Sequence, residues 1–284
     1  METLERSIKA RTFLEQGSPM ISLADCNDLS REHGVSIKEI EIFALERQII
    51  PARYDRNIGT IGIEGQLRLL RSRVAVIGCG GLGGVVIEIL ARSGVGKLAI
   101  ADGDVFSDSN LNRQILSNTG DMGYSKVDVA LERVSSINPS VEVFPFDFPL
   151  DEAKGCVILK EADVAVDALD NNPSRKLLYS LCSGLSIPVV HGAIGGFIGQ
   201  VGVFLPGKPT HLDLFGDGLT EKGVEAIAGV PSFAPYVVGS LEAAEVIKLL
   251  TGVGDILKET LLLLDMSQNV TEFLPLDEEN ENSL

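Results

Sequence analysis

Six residues, Gly78-Cys79-Gly80-Gly81-Leu82-Gly83, constrain the fold of this chain more than any other stretch. They follow Val74-Ala75-Val76-Ile77, an apolar run of strand type, and they open a helix-like segment over 82–93. Strand, glycine loop and helix in that order form the context of a dinucleotide-binding fingerprint. Glycine lets the backbone turn tightly and lets a phosphate approach without a Cβ in the way. The helix that follows offers free N–H groups and the positive end of its dipole to an anion. A glycine loop of this kind names no particular chemistry, so the residues after it must decide.

From Arg73 onward, strand and helix patterns alternate. Strand candidates lie at 73–77, 97–101, 141–145, 163–167, 187–190, 200–205, 260–264 and 270–274, and helix candidates at 82–93, 125–137, 174–185 and 239–251. Such alternation predicts βαβ units, and so an α/β, doubly wound, mainly parallel sheet. The later strands lack intervening helices at first, which predicts antiparallel pairing there. Between 206 and 235 the chain is rich in Gly and Pro, and a stretch that long without periodicity reads as a functional flap. Residues 1–50 read as helical and free of strands, a small N-terminal helical extension. A first helix runs to about Gln16 and stops at Gly17-Ser18-Pro19; Ser22 with Asp25 starts a second. Ser36 and Glu39 have capping-box spacing for a third. Residues 51–284 then form one α/β domain ending in an acidic tail over 277–284.

The formal charge of −16 argues against nucleic acid as a partner, because its phosphates would be repelled. A phosphate ligand must instead meet a local basic cluster. Glu88 and Arg92 interrupt the most apolar helix, so no run reaches the length of a membrane span. The charged start, Met1-Glu2-Thr3-Leu4-Glu5-Arg6, does not read as a signal peptide, and the expectation is a cytoplasmic protein. The cysteines Cys26, Cys79, Cys156 and Cys182 form no Cys-x-x-Cys pair, so neither a disulfide framework nor a zinc knuckle is indicated.

Asp102 ends the second strand of the alternating region, 19 residues after Gly83, where a carboxylate accepts both ribose hydroxyls. It suits NAD and an adenine nucleotide equally. Asn110-Leu111-Asn112-Arg113-Gln114 comes next. A dehydrogenase has no use for Arg113 and Gln114 here, whereas a triphosphate site does, since Arg forms paired charged hydrogen bonds to phosphate oxygens. Lys126 follows Ser125, which with Asp128 has the spacing of a helix cap. The fourth strand leads into Asp167-Ala168-Leu169-Asp170-Asn171, at the strand end that borders the crevice of a doubly wound sheet. A carboxylate beside a polyphosphate there is suited to hold Mg²⁺. Arg53-Tyr54-Asp55-Arg56-Asn57 lies just before the sheet. His191, at the end of a strand, reads as a packing or hydrogen-bonding residue.

Together these stretches resemble the adenylating domain of the ThiF/MoeB/HesA family, relatives of ubiquitin-activating enzymes. The matches run from Arg53-Tyr54-Asp55-Arg56 through the 78–83 loop, Asp102-Gly103-Asp104, Ser109 to Gln114, Gly123 to Lys126 and Asp167 to Asn171. They continue with Gly199-Gln200-Val201 and the late segment Gly239 to Glu245. The resemblance implies a Rossmann-like fold and an ATP-dependent adenylyltransferase. Its substrate would be the C-terminal glycine carboxylate of a ubiquitin-like sulfur-carrier protein similar to ThiS or MoaD. It further implies that Gly78, Gly80, Gly81, Leu82 and Gly83 cradle ATP phosphates, and that Asp102 holds the ribose with Asp104 nearby. Asn110, Arg113, Gln114 and Lys126 would grip the triphosphate, and Asp170, beside Asn171, would position Mg²⁺. Arg56 would reach across a homodimer into the partner's site, although Asn57 stands where the family usually has Gln. Many members carry two Cys-x-x-Cys pairs for zinc; here Thr210 and Asp213 occupy the first pair's positions and no cysteine follows Cys182, so no zinc site is expected. Sulfur would then come from another protein. Two other readings stay open at this level: a non-catalytic nucleotide- or carrier-binding relative, and an NAD-dependent oxidoreductase on the same fold.

Overall fold

The computed structural model describes residues 2–210, 212 and 228–276. The first fifty residues are not purely helical. They comprise α1 (Glu2–Ala10), β1 (Phe13–Glu15), β2 (Ser18–Ile21), α2 (Leu23–His33), α3 (Ile37–Leu45) and β3 (Ile50–Pro51). Strands β1 and β2 form an antiparallel hairpin, and β3 joins β2 in parallel. The hairpin turn places Gln16 and Gly17 at φ 50° and 86°, the positive values a two-residue hairpin loop requires. Gly17-Ser18-Pro19 is therefore a turn into a strand rather than the stop of a long helix, and α1 already ends at Ala10. Both N-caps are present: Ser22 accepts from the Asp25 N–H, and Ser36 with Glu39 forms the full capping box. Ile8, Ile21, Cys26, Leu29, Ile40 and Ala44 close into a buried cluster of their own.

A helix the composition concealed follows. α4 (Asp55–Arg71) spans the stretch that precedes the sheet, and it kinks at Gly62, whose φ is 68°. Next come β4 (Arg73–Ile77), α5 (Gly81–Ser93), β5 (Lys97–Asp102), α6 (Lys126–Ile137), β6 (Glu142–Asp147), α7 (Glu152–Ile158) and β7 (Val164–Asp167). They are followed by α8 (Asn172–Leu185), β8 (Val189–Gly195), β9 (Ile198–Phe204), α9 (Phe233–Thr251), β10 (Thr260–Asp265) and β11 (Val270–Pro275).

The eight later strands form one sheet in the order β11-β10-β9-β8-β7-β4-β5-β6. β4 pairs in parallel with β5 and β7, and parallel pairing extends to β6 and β8; from β8 through β9 and β10 to β11 each strand is antiparallel to the next. The doubly wound, mainly parallel sheet with later antiparallel strands is thus as the alternation predicts. β4 is apolar on both faces because helices cover both. Val74 and Val76 join one cluster with Val86 and Leu90 of α5, Val134 of α6 and Val246 of α9, while Ala75 and Ile77 face Ile158 of α7 and Leu178 of α8. The chain runs outward from β4 to β6, then returns across β4 to β7. That reversal opens a crevice beyond the carboxyl ends of β4 and β7. Among the described residues, no helix is long and apolar enough to cross a membrane.

Candidate functional site

A cleft of about 390 Å³ occupies this crevice, and it gathers most of the expected residues: Gly78, Gly80, Gly81, Leu82, Asp102, Asp104, Arg113, Gln114, Lys126, Asp170 and Asn171 all border it. The glycines divide by role. Gly78 has φ 103°, and a Cβ there would lie 2.5 Å from the Ala168 carbonyl oxygen. A Cβ on Gly83 would lie 1.8 Å from the Gly78 carbonyl oxygen, so Gly83 lets α5 pack onto the loop and does not itself border the cleft. Around Gly80 the nearest atom to such a Cβ is Gln114 Nε2, at 3.7 Å. α5 begins at Gly81 without a side-chain cap, which leaves its first-turn N–H groups facing the loop.

Asp102 is anchored by the backbone. Its Oδ2 accepts from the Cys79 N–H at 2.7 Å and its Oδ1 from the Asp104 N–H at 2.8 Å. Burial raises its pKa, against the opposing pull of Lys126 and these N–H donors. Lys126 Nζ lies 2.9 Å from Asp104 Oδ2; the lysine side chain is 8% exposed and that of Asp104 74%. Ser125 does not cap α6: its Oγ has no hydrogen-bond partner and Asp128 is exposed. The helix start is held instead by the Lys126 N–H, which donates to the Asp104 carbonyl at 3.0 Å.

Asn110 stands behind the cleft rather than on it. It is buried, its Oδ1 accepts from the Ser107 N–H at 3.0 Å, and its carbonyl accepts from the N–H groups of Arg113 and Gln114 at 3.1 and 2.9 Å. It therefore shapes the turn that presents those two side chains. Arg113 Nη1 rests on the Ser109 carbonyl at 2.7 Å and on Asn112 Oδ1 at 2.9 Å. Gln114 is buried and its Oε1 has no hydrogen-bond partner.

On the opposite wall, Asp170 is exposed and its Oδ1 accepts from Asn171 Nδ2 at 3.2 Å. Asn171 Oδ1 in turn caps α8 by accepting from the Ser174 N–H at 2.9 Å. Sequence reasoning missed Phe148, Pro149 and Leu150, an apolar wall after β6, and Arg175 on α8. The first three stand at the carboxyl end of a strand, the position that would have found them. Behind the wall, Asp167 Oδ2 accepts from Tyr179 at 2.5 Å and lies 2.8 Å from His191 Nδ1. Gln200 Nε2 is 3.0 Å from His191 Nε2, so Nε2 is the acceptor and the Nδ1–H donates to Asp167. Burial lowers the His191 pKa further than Asp167 raises it, and the ring is neutral; His191 is a hydrogen-bonding core residue.

Arg56 is not brought to this cleft. Its side chain is 91% exposed near the start of α4, 3.7 Å from Asp55, and it borders a separate hollow of about 190 Å³. The middle of the expected flap, Asp213 within it, and the tail over 277–284 lie outside the described residues.

The chemistry of the cleft fits a magnesium-bound polyphosphate. An open glycine, a bare helix start, Arg113 and the buried Lys126 ammonium favour anionic oxygens. The buried Gln114 Oε1 is an acceptor that a hydroxyl or water would satisfy. Among the described residues, no three His, Cys, Asp or Glu side chains form a metal-holding group. Mg²⁺ shared with phosphate oxygens needs only one or two carboxylates, and Asp170 and Asp104 border the cleft.

The model of the ThiF family matches residues 54–284. Among curated proteins, the chain is 40% identical over 227 residues to the SAMP-activating enzyme E1 of Haloferax volcanii, covering 78% of this chain and 84% of that one. It is 41% identical over 223 residues to the sulfur carrier protein adenylyltransferase of Thermus thermophilus, covering 75% and 82%. Among solved structures, E. coli MccB with AMPCPP and MccA is similar at a TM-score of 0.69 and 21% identity, covering 91% of this chain and 80% of that one. PaaA is similar at a TM-score of 0.66 and 24% identity, covering 79% and 73%. At these identities the structural likeness shows the fold.

Proposed function

This chain belongs to the ThiF family, and we propose that it is an ATP-dependent adenylyltransferase acting on the C-terminal glycine carboxylate of a ubiquitin-like sulfur-carrier protein. The carboxylate oxygen attacks the α-phosphorus of ATP, the bond to the bridging oxygen breaks, and pyrophosphate leaves with that electron pair. The carrier keeps an acyl-adenylate. The attacking group is already ionised, so no general base is required. What the site must supply is position and fixed positive charge, because negative charge grows on the phosphoryl oxygens and the leaving group.

The observation that carries this reading is the convergence of Arg113, Lys126 and the open Gly80–Gly81 backbone on one cleft. Arg113 and Lys126 bind the triphosphate, with Lys126 turning from Asp104 toward the added anion. Asp102 receives the ribose, and Phe148 and Pro149 offer the base an apolar wall. Asp170 would hold Mg²⁺, aided by Asp104, and the ion when bound would neutralise charge on the phosphates. Thr210 and Asp213, at the positions where many members carry the first zinc cysteine pair, support a site without zinc, and the lack of cysteine over 183–284 supports a sulfur donor other than a thiol of this stretch. The exposed Arg56, away from its own cleft, supports a homodimer in which it serves the partner's site. A cytoplasmic setting suits such a reaction.

ATP–pyrophosphate exchange with a glycine-ended carrier protein tests this reading. Arg113→Ala and Asp170→Ala are each expected to lose about 10²-fold or more in exchange while keeping the wild-type circular dichroism. Full exchange in both variants would overturn the site assignment.

A further inference from the structure

The turn that carries Asp170 is gripped from behind by a buried charge pair. β7 ends on Asp167, which is fully buried. Its Oδ1 accepts from the Leu169 N–H at 3.2 Å. Arg175, in the first turns of α8 and 5% exposed, donates from Nη2 to the Leu169 carbonyl oxygen at 2.5 Å. Its Nε lies 3.4 Å from Asp167 Oδ2. Both backbone groups of Leu169 are thus held, the N–H by the carboxylate and the C=O by the guanidinium. The next residue is Asp170, exposed on the cleft. Burial opposes ionisation of Asp167, but the charge of Arg175 and the hydrogen bonds from His191 and Tyr179 outweigh it, so the carboxyl stays well below the usual range. The clamp is therefore a permanent ion pair in the core, aimed at one peptide of one loop.

We infer that Arg175 is a positioning residue: through the Leu169 carbonyl it fixes the Asp170 carboxylate in the place where Mg²⁺ and the nucleotide phosphates meet. The inference rests on the reading of the cleft as a Mg–ATP site. A planar guanidinium suits the task, since it bonds in two directions from one rigid plane, which the single ammonium of lysine does not do. Residues that orient a metal-holding carboxylate typically contribute 10–100-fold to metal affinity, roughly the effect expected here.

The test is calorimetric titration with ATP, in magnesium and again in EDTA, on the wild type, Asp170→Asn, Arg175→Gln and the double variant. The readout is the ratio of the two affinities. Arg175→Gln is expected to lower that ratio about tenfold and to leave the affinity in EDTA unchanged. The double variant is expected to fall no further than Asp170→Asn alone, since both changes remove one and the same arrangement. Additive losses, or an equal loss in EDTA, would overturn the assignment, because a general packing defect or a direct contact to nucleotide would give those results. Arg175→Lys keeps a positive charge facing Asp167 and guards against a folding failure of Arg175→Gln; it too is expected to lose the magnesium effect, and a wild-type ratio in it would overturn the inference. A wild-type protein with no magnesium-enhanced ATP binding would defeat the functional reading and this one with it. An enhancement that survives both Arg175 changes defeats only the role given to Arg175.

Discussion

A methyl group on Gly83 would lie 1.8 Å from the Gly78 carbonyl oxygen, whereas one on Gly80 would meet nothing closer than Gln114 Nε2 at 3.7 Å. The two glycines share a loop but answer to different constraints, and their alanine variants should separate them. Gly83→Ala must push α5 off the loop, and overpacking of that kind costs about 1–3 kcal/mol or more. It is expected to lower the melting temperature. Gly80 lies outside the left-handed region, at φ −76° and ψ −145°, and an added Cβ would meet no backbone atom of another segment within 4 Å. Gly80→Ala is expected to melt like the wild type and to bind ATP several-fold more weakly by calorimetry, because its methyl group enters the cleft. Glu242 of α9 makes a second case at this scale. It is fully buried against Gly192, and neither of its carboxyl oxygens has a hydrogen-bond partner. Burial, reinforced by Asp167, pushes its pKa well up, so it is neutral in the fold and ionised in the unfolded chain above the ordinary Glu range. The folded state then binds the extra proton, and stability falls by up to about 1.4 kcal/mol per pH unit between the unfolded and folded pKa values. Glu242→Gln removes this slope. Thermal unfolding at pH 5 and pH 8 should show the variant gaining on the wild type toward the alkaline side; parallel pH profiles would reject the idea.

Among elements, those that alternate in a fixed period were legible, and those marked by exceptional residues were not. The 73–77 and 97–101 strands and the 82–93 helix were readable because an apolar run buried on both faces leaves no polar alternation to mislead. α4 was hidden by Gly59, Gly62 and Gly65: glycine-rich sequence reads as linker, yet here Gly62 supplies the kink and a side chain on Gly65 would crowd Ile61. The β1–β2 hairpin was hidden because Gln16 takes a positive φ that Gln rarely adopts. Such elements are set by tertiary contact rather than local preference. The knot that fastens the extension shows how. The Tyr54 hydroxyl donates to Glu41 Oε2 at 3.1 Å and accepts from Asn138 Nδ2 at 3.0 Å, which also donates to the Ala91 carbonyl. Three elements, α3, α5 and the end of α6, are thus tied together through the Tyr54 phenol and the Asn138 amide. Tyr54→Phe keeps the ring but leaves a buried acceptor and a buried donor without it, at a cost of about 1–3 kcal/mol. Denaturant unfolding is expected to show that loss with an unchanged slope.

For the molecule as a whole, the sequence marks which residues meet at the crevice, because the parallel strands of a doubly wound sheet send their carboxyl ends to the same side. Asp102, Arg113, Lys126 and Asp170 come together from separate segments for that reason. What it cannot mark is support, whether from behind the cleft as with Asn110 or from its edge as with Arg175, since nothing in spacing separates a residue that meets a ligand from one that holds its neighbour. Arg56, expected to serve a partner's site, stands away from this chain's own cleft, 91% exposed beside a hollow on α4. If two copies exchange Arg56, each active site is built from two chains, and complementation follows. Arg56→Ala and Asp170→Ala homodimers are each expected to be inactive in pyrophosphate exchange. On subunit mixing, half of the dimers become hybrids, and in each hybrid one site pairs an intact Arg56 with an intact Asp170. Recovery to about a quarter of wild-type activity is the expected result for a two-fold symmetric assembly with random exchange. A mixture that stays inactive, although native mass spectrometry shows the hybrid present, would mean that Arg56 serves no partner site and that each chain works alone.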